Sequence, residues 1–256
     1  MKVVVEDKHV FAIYFNGLSK CNLVKSQNFT ICDKEIVHRI KKVLRLFEDE
    51  ELVLFDDKQK VKLKLLKEDK SKKNILNTKV LSVSQNIKPK SEIILSVGLL
   101  KKENFERISY FAAAMGANVI QPFLSHKVQR KWGGAKEVER LQKILISACE
   151  QSKNFNIPQI LEPLSFDKFI KNLNTNSKKI CFEVDGMPLF DLLSDLNEFS
   201  NNQIILTFGP EGGFSSDEID TLRKAGFGFI KLTPTILRSV ESVAVGLGSV
   251  RSIVGS

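Results

Sequence analysis

Apolar and polar positions fall into two regimes along the chain. Up to about residue 66 the apolar residues come in short runs of strand length: 3–5, 11–15, 52–55 and 61–66. Turn signals separate them, as in Asn16-Gly17 and Asp56-Asp57. This pattern predicts a small β barrel. In Lys60-Val-Lys-Leu-Lys-Leu65 the alternation is strict. A strand there places Lys60, Lys62 and Lys64 on one face, with Val61, Leu63 and Leu65 inward. One stretch breaks the β pattern: Ile36, Ile40, Val43, Leu44 and Phe47 follow helical spacing, which leaves Arg39, Lys42 and Arg45 outward. Residues 67–86 are rich in Lys, Ser and Asn and read as a linker. From Glu92 onward, strand-like runs (93–97, 118–121, 159–161, 179–184, 203–208, 227–232) take turns with helical ones (103–115, 136–152, a short helix near Leu189, a helix from Ser215, and 239–254), with a further run at 166–173. Strands and helices in alternation predict an α/β domain, a parallel sheet with helices on both faces. The expected division is a β barrel over 1–70, a linker and the start of the next domain over 71–90, and the α/β domain over 91–256.

One turn stands out. Thr207-Phe-Gly-Pro-Glu-Gly-Gly-Phe214 lies between an apolar strand and Ser215-Ser-Asp-Glu218, whose spacing is that of a helix-starting capping box. Glycine admits positive φ and lets a ligand touch the backbone, and ligands of open α/β sheets collect at the carboxyl ends of strands. The alternative is a tight turn with no ligand.

Composition narrows the class. The 256 residues are 43% hydrophobic and 27% charged, as in globular proteins. A formal charge of +9 favours an anionic partner, nucleic acid first. The Lys60/Lys62/Lys64 ribbon suits a phosphate backbone, or equally a solvated strand edge guarded by lysines. Cys21, Cys32, Cys149 and Cys181 are scattered and only three His are present, so no metal site is expected, and reduced, mostly buried thiols are. Early charges rule against a secretory signal, and the longest apolar run, 93–100, is too short for a bilayer. These features predict a cytoplasmic protein without membrane contact. A nucleotide P-loop fails because no Gly-x4-Gly-Lys-Ser/Thr run occurs, and a dinucleotide fingerprint fails because Gly246-Leu-Gly248 falls inside a helix.

Gly-Pro-Glu-Gly-Gly-Phe, a capped helix, a strand and then Ile236-Leu-Arg238 together resemble the signature of the ribosomal RNA small-subunit uracil-N3 methyltransferases, of the SPOUT class. The amino-terminal His38 with Val43-Leu-Arg45, and Glu150-Gln-Ser152 with Ile157-Pro158, fit the same family. The resemblance implies a PUA-like RNA-binding barrel, a SPOUT methyltransferase domain with a carboxy-terminal trefoil knot, and S-adenosylmethionine (SAM) as cofactor. It implies a SAM pocket built by the loop at 183–186, by Thr207, Phe208, Gly209, Pro210, Glu211, Gly212 and Gly213, and by Leu232, Thr233, Ile236 and Leu237. Implied partners are 16S ribosomal RNA in the small ribosomal subunit and a second copy of the chain. RNA contacts are expected from Lys60, Lys62, Lys64, Arg39, Arg45, Lys127 and Arg130. For the homodimer, Val243, Leu247, Val250 and Val254 form an apolar stripe on the last helix, which could equally pack inside its own chain.

Methylating uracil N3 requires loss of the imide proton and stabilisation of the resulting anion, which a positioned cation supplies. Arg238 is the candidate, with Ile236-Leu237 expected to anchor its loop in the core. The competing role is a helix cap or an ion pair with Glu211 or Glu241. His38 is assigned no chemistry. The chain departs from the family at Phe111, Ala114, Lys127, Thr235 and Val240, and Thr235 stands where an arginine is usual. Two other functions stay open: a SPOUT enzyme with another target such as a ribose 2′-hydroxyl, and a non-catalytic RNA-binding relative.

Overall fold

A computed structural model describes residues 10–67, 74–128, 130–192 and 203–255. The apolar run at 3–5 lies outside the described residues. The chain forms two compact units, Met1–Ile87 and Lys88–Ser256.

In the first unit, strands β1 (Phe11–Tyr14), β2 (Asn28–Ile31), β3 (Glu51–Phe55), β4 (Gln59–Leu65) and β5 (Leu76–Gln85) form one mixed sheet in the order β1-β3-β4-β5-β2. Among the described residues of this sheet, only the β1–β3 pairing is parallel. Val61, Leu63 and Leu65 point into a core shared with Ile13, Ile31 and Leu52, as the alternation in β4 requires. The stretch read as linker and domain start differs: β5 fills ten of its residues. Leu76, Thr78 and Val80 are buried at period two, and the polar residues between them masked that strand as a linker.

The expected helix at 36–47 also changes character. Asp33 caps α1 (Lys34–His38) by accepting from the Glu35 and Ile36 amides at 2.9 and 3.0 Å. The chain then widens into a π turn over Arg39–Val43. The extra residue in that turn rotates the positions after it, because a π turn spaces its hydrogen bonds five residues apart. Val37 and Ile40 are buried, whereas Val43 is 63% exposed and Phe47 73% exposed.

The second unit contains β6 (Glu92–Gly98), α2 (Lys102–Ala114), β7 (Val119–Leu124), α3 (Ala135–Ser152), β8 (Gln159–Ile160), β9 (Leu164–Ser165), α4 (Phe166–Lys171), β10 (Lys178–Pro188), β11 (Gln203–Phe208), α5 (Ser216–Lys224), β12 (Gly228–Lys231) and α6 (Ser239–Val254). The strands follow the order β12-β10-β11-β6-β7-β8, with β9 also against β7, and every pairing among the described residues is parallel. On one face Phe123, Phe166, Phe169, Phe214 and Leu222 join α4 and α5 to the sheet, with Phe123 and Phe169 stacked at 4.8 Å. The opposite face carries α6, where a Cβ on Gly246 would lie 3.0 Å from the Phe208 ring and 3.1 Å from Phe182. Helix α2 packs against both α3 and α6.

Two expectations are overturned by this packing. Val243, Leu247, Val250 and Val254 are all buried within the chain itself, so the stripe is spent on the core and offers no surface to a second copy. Of the free cysteines, Cys149 and Cys181 are buried, but Cys21 and Cys32 are exposed. Among the described residues no helix is long and apolar enough to cross a membrane.

Candidate functional site

Strand β11 ends at Phe208, and the turn after it is fixed from several directions. The Gly213 amide donates to the Pro210 carbonyl at 2.9 Å, and Gly213 takes φ +67°, a value that favours glycine. Pro210 lies against the end of β6, where a Cβ on Gly98 would come within 2.6 Å of the Pro210 nitrogen. Glu211 Oε1 accepts from the Lys101 amide and from Asn104 Nδ2, both at 2.9 Å, which ties the turn to the start of α2. Lys127 Nζ donates to the carbonyls of Gly212 and Phe214 at 3.1 and 3.0 Å.

The capping box at Ser215 and Glu218 is present and does more than start α5. The Glu218 carboxylate also accepts from the His126 amide at 2.9 Å and from Ser125 Oγ at 3.3 Å. Burial pushes this carboxyl up, but the hydrogen bonds from the Ser215 and His126 amides and from Ser125 outweigh it and hold the group below the usual carboxylate range.

Beside the turn lies a cavity of about 720 Å³. Its wall combines Gly209–Gly213 with Glu183 and Val184, with 230–233, and with 235–242, while Lys101 at the N-cap of α2 and Asn104 and Arg107 within it complete the lining. The loop at 183–186 is looped out of β10, since Phe182 and Met187 both stand opposite Ile230. Gly186 makes that possible, because a Cβ there would sit 2.5 Å from the Ile230 backbone. Burial, and then the neighbouring Asp185, raise the Glu183 carboxyl, against the opposing Val184 amide and the Lys127 charge. Across the cavity Arg107 and Glu241 pair at 3.7 Å.

Of the residues expected around SAM, Phe208, Gly209, Pro210, Glu211, Gly212, Gly213, Leu232, Thr233, Ile236 and Leu237 line this cavity, together with Arg238. Thr207 does not: it is buried in β11 and its hydroxyl finds no partner among the described residues. Odd positions of β11 face α4 and α5, so Thr207 points away from the cavity. Ile236 is 83% exposed, so it does not anchor its loop in the core. Arg238 is exposed at the N-cap of α6 without a capping side-chain bond. The two acids suggested as its partners are otherwise engaged, Glu211 with α2 and Glu241 with Arg107.

The cations expected to meet RNA are divided. Lys60, Lys62 and Lys64 lie on β4 and Arg39 and Arg45 around the π turn, all in the first unit. Lys62 pairs with Glu51 at 2.5 Å and Lys64 with Asp49 at 2.6 Å. In the second unit, Arg130 is committed inward: it forks onto Glu137 at 2.6 and 2.9 Å, donates to the Leu100 carbonyl and lies over the Phe105 and Trp132 rings. Lys127 serves the glycine turn. Sequence reasoning missed Lys101, Asn104 and Arg107, because no motif marks them. Their signal was topological: α2 begins where β6 ends, beside the end of β11.

The model of the RNA methyltransferase domain family matches residues 87–249, a span that holds the whole cavity wall. A ribosomal RNA small subunit methyltransferase E from Mesomycoplasma hyopneumoniae is 33% identical over 169 residues, covering 64% of this chain and 71% of the relative. One of the same name from Buchnera aphidicola is 27% identical over 255 residues, 98% of this chain and 96% of the relative. The crystal structure of a ribosomal RNA small subunit methyltransferase E from Neisseria gonorrhoeae, bound to S-adenosyl methionine, superposes with a TM-score of 0.78 at 23% identity over 95% of this chain and 98% of that one. That likeness establishes a shared fold.

Proposed function

The chain belongs to the RNA methyltransferase domain family, beside the ribosomal RNA small subunit methyltransferase E proteins, and from that premise we propose that it methylates N3 of a uridine in 16S ribosomal RNA with SAM as donor. The observation that carries this reading is the cavity at the glycine turn, lined by Gly209, Gly212 and Gly213 and by a cation, Arg238, with no carboxylate partner among the described residues. The residues present fit SAM: a side chain is absent at Gly213, where an added Cβ meets nothing within 4 Å, and apolar Leu232 and Leu237 line the same cavity. Gly209–Gly213, Leu232, Thr233 and Leu237 would hold it. Bound there, SAM supplies an electrophilic methyl group.

The protein's own part is electrostatic. When uracil N3 loses its proton, the charge spreads onto O2 and O4, and a guanidinium aimed at those oxygens stabilises it. Arg238 is exposed at the cavity and offers its planar fork for that task. Arg107 is already paired with Glu241, and Thr235 adds no second charge in the same loop.

The remaining parts of the reading are proposals of the same kind. The first unit is the PUA-like domain that holds ribosomal RNA, and the substrate is the assembled small subunit in the cytoplasm. The trefoil knot of the SPOUT fold belongs here too, and it rests on the resemblance alone. A homodimer rests on the resemblance rather than on the stripe in α6; sedimentation as a monomer at micromolar concentration would remove it. Nucleoside analysis of ribosomal RNA from a deletion strain tests the function. Loss of 3-methyluridine alone is the expected result. Loss of a 2′-O-methylated nucleoside instead, or no loss, would overturn it.

A further inference from the structure

The lysine at 127 was expected to meet RNA, and its surroundings assign it different work. Three observations converge on the segment Ser125-His126-Lys127, directly after β7. The Lys127 ammonium donates to the Gly212 and Phe214 carbonyls at 3.1 and 3.0 Å, on either side of Gly213. Its stem lies over the turn, because a Cβ on Gly212 would come within 3.2 Å of the Lys127 Cβ. Immediately before it, the His126 amide and the Ser125 hydroxyl are held by Glu218 in the first turn of α5. The segment therefore grips the turn from outside the cavity, by charge at one point and by carboxylate at another. The Lys127 charge also acts on Glu183 in the cavity wall.

We propose that Lys127 is a positioning residue for the SAM-binding turn, setting the Gly212–Phe214 backbone in the shape that receives the cofactor rather than contacting RNA. The proposal rests on the SAM reading of the cavity. A turn with two adjacent glycines, Gly212 and Gly213, needs an external constraint, since glycine loses more backbone entropy on ordering than any other residue. A lysine reaching two carbonyls supplies it through charge-assisted hydrogen bonds, which are stronger than neutral ones. Losing this constraint leaves the cofactor to order the turn on binding, and affinity falls by that amount.

The test uses the full chain with Lys127→Met, which keeps the stem and removes the charge, and Lys127→Arg, which keeps a donor. Titration calorimetry with SAM should show Kd raised about tenfold in Lys127→Met, the scale of one hydrogen bond to a charged group. Lys127→Arg should recover part of that loss. In steady state KM for SAM should rise with kcat at saturating SAM within about twofold, a split expected when only binding is lost. Small-subunit RNA binding should keep its salt dependence. Unchanged SAM affinity with a salt slope lower by about one would make Lys127 a phosphate contact and overturn the proposal. Unchanged affinity and slope would also overturn it, leaving a solvated lysine. So would an equal loss of SAM affinity and of apo thermal stability in both variants. If wild-type protein itself does not bind SAM, the reading of the cavity fails, which is a different result from any of these.

Discussion

The glycine turn at 209–214 and the loop at 232–238 line one cavity, yet they are held in opposite ways. Pro210 packs on Gly98, Glu211 is bonded to α2, Lys127 ties two carbonyls, and Glu218 fixes the next residues. In the second loop the side-chain bonds among the described residues join Thr233 to Thr235, and Ile236 stands out in solvent. Arg238, the cation we propose for the chemistry, belongs to the less braced side. The contrast separates two duties. A cofactor wall gains from being preformed, because order lost on binding lowers affinity. A group that must meet a base carried by a much larger RNA gains from a loop that can follow it. On the proposed reading, a well-braced wall and a less braced cation share one pocket.

The largest effect should come from the adjustable side. Arg238→Ala removes the charge aimed at the base and should cost about 100- to 1000-fold in turnover. Lys keeps the charge but loses the planar fork, so Arg238→Lys should restore little. Both variants should bind SAM near normally, since the residues proposed to hold it, Leu237 included, are unchanged. Turnover is measured with small-subunit substrate and labelled SAM. A variant that turns over like wild type would show that the charge at 238 is structural, and the division of duties would collapse.

The fixed side predicts a smaller effect of a different kind. Glu218→Ala removes the capping box and both bonds to 125–126, and should cost about 1–3 kcal/mol of stability at neutral pH. The pH dependence comes from the lowered carboxyl. Its contribution is present above the ordinary glutamate range and is lost as pH falls through the folded value, where the group becomes protonated. Wild type and Glu218→Ala should therefore converge in urea midpoint on acidification. A difference that stays constant down to acidic pH would mean that the carboxylate's charge is not what holds the turn.

The same contrast marks how far the sequence could be read. The turn was legible because its parts are local: strand, glycines, capping box, all within sixteen residues. The boundaries of α6 were legible too, since its apolar period runs without interruption to Gly255. What the sequence hid was long-range. Lys127 looks like any basic surface residue until the fold sets it 85 positions away against Gly212. Thr207 looks like part of the motif, but strand parity turns it to the far face. Ile236 looks like an anchor because apolar residues usually bury, yet burial is a tendency that a loop at a pocket need not obey. In the first unit, one extra residue in a π turn left Val43 in solvent, and the helix ends before Phe47, which is exposed beyond it.

The smallest expected effect concerns the first unit, and it extends the contrast from cofactor to RNA. If Lys60, Lys62 and Lys64 contact phosphates equally, replacing all three with Gln should lower the salt slope of RNA binding by about 0.7–0.9 for each lysine–phosphate pair removed. The structure argues for less. Lys62 is drawn to Glu51, and Lys64 to Asp49, whose pairing raises the lysine's affinity for its proton. An ammonium already facing a carboxylate must leave it, or share it, before releasing a counterion for a phosphate, so its net contribution shrinks. The expected change for the triple variant is therefore well short of three phosphate pairs, with an affinity loss of well under tenfold at physiological salt. Replacing Glu51 and Asp49 with Gln and Asn should then strengthen RNA binding and steepen the slope, because the lysines are released. If the triple variant leaves the slope unchanged and the acidic replacements do nothing, the ribbon is a solvated strand edge, and the RNA contacts of this unit lie elsewhere.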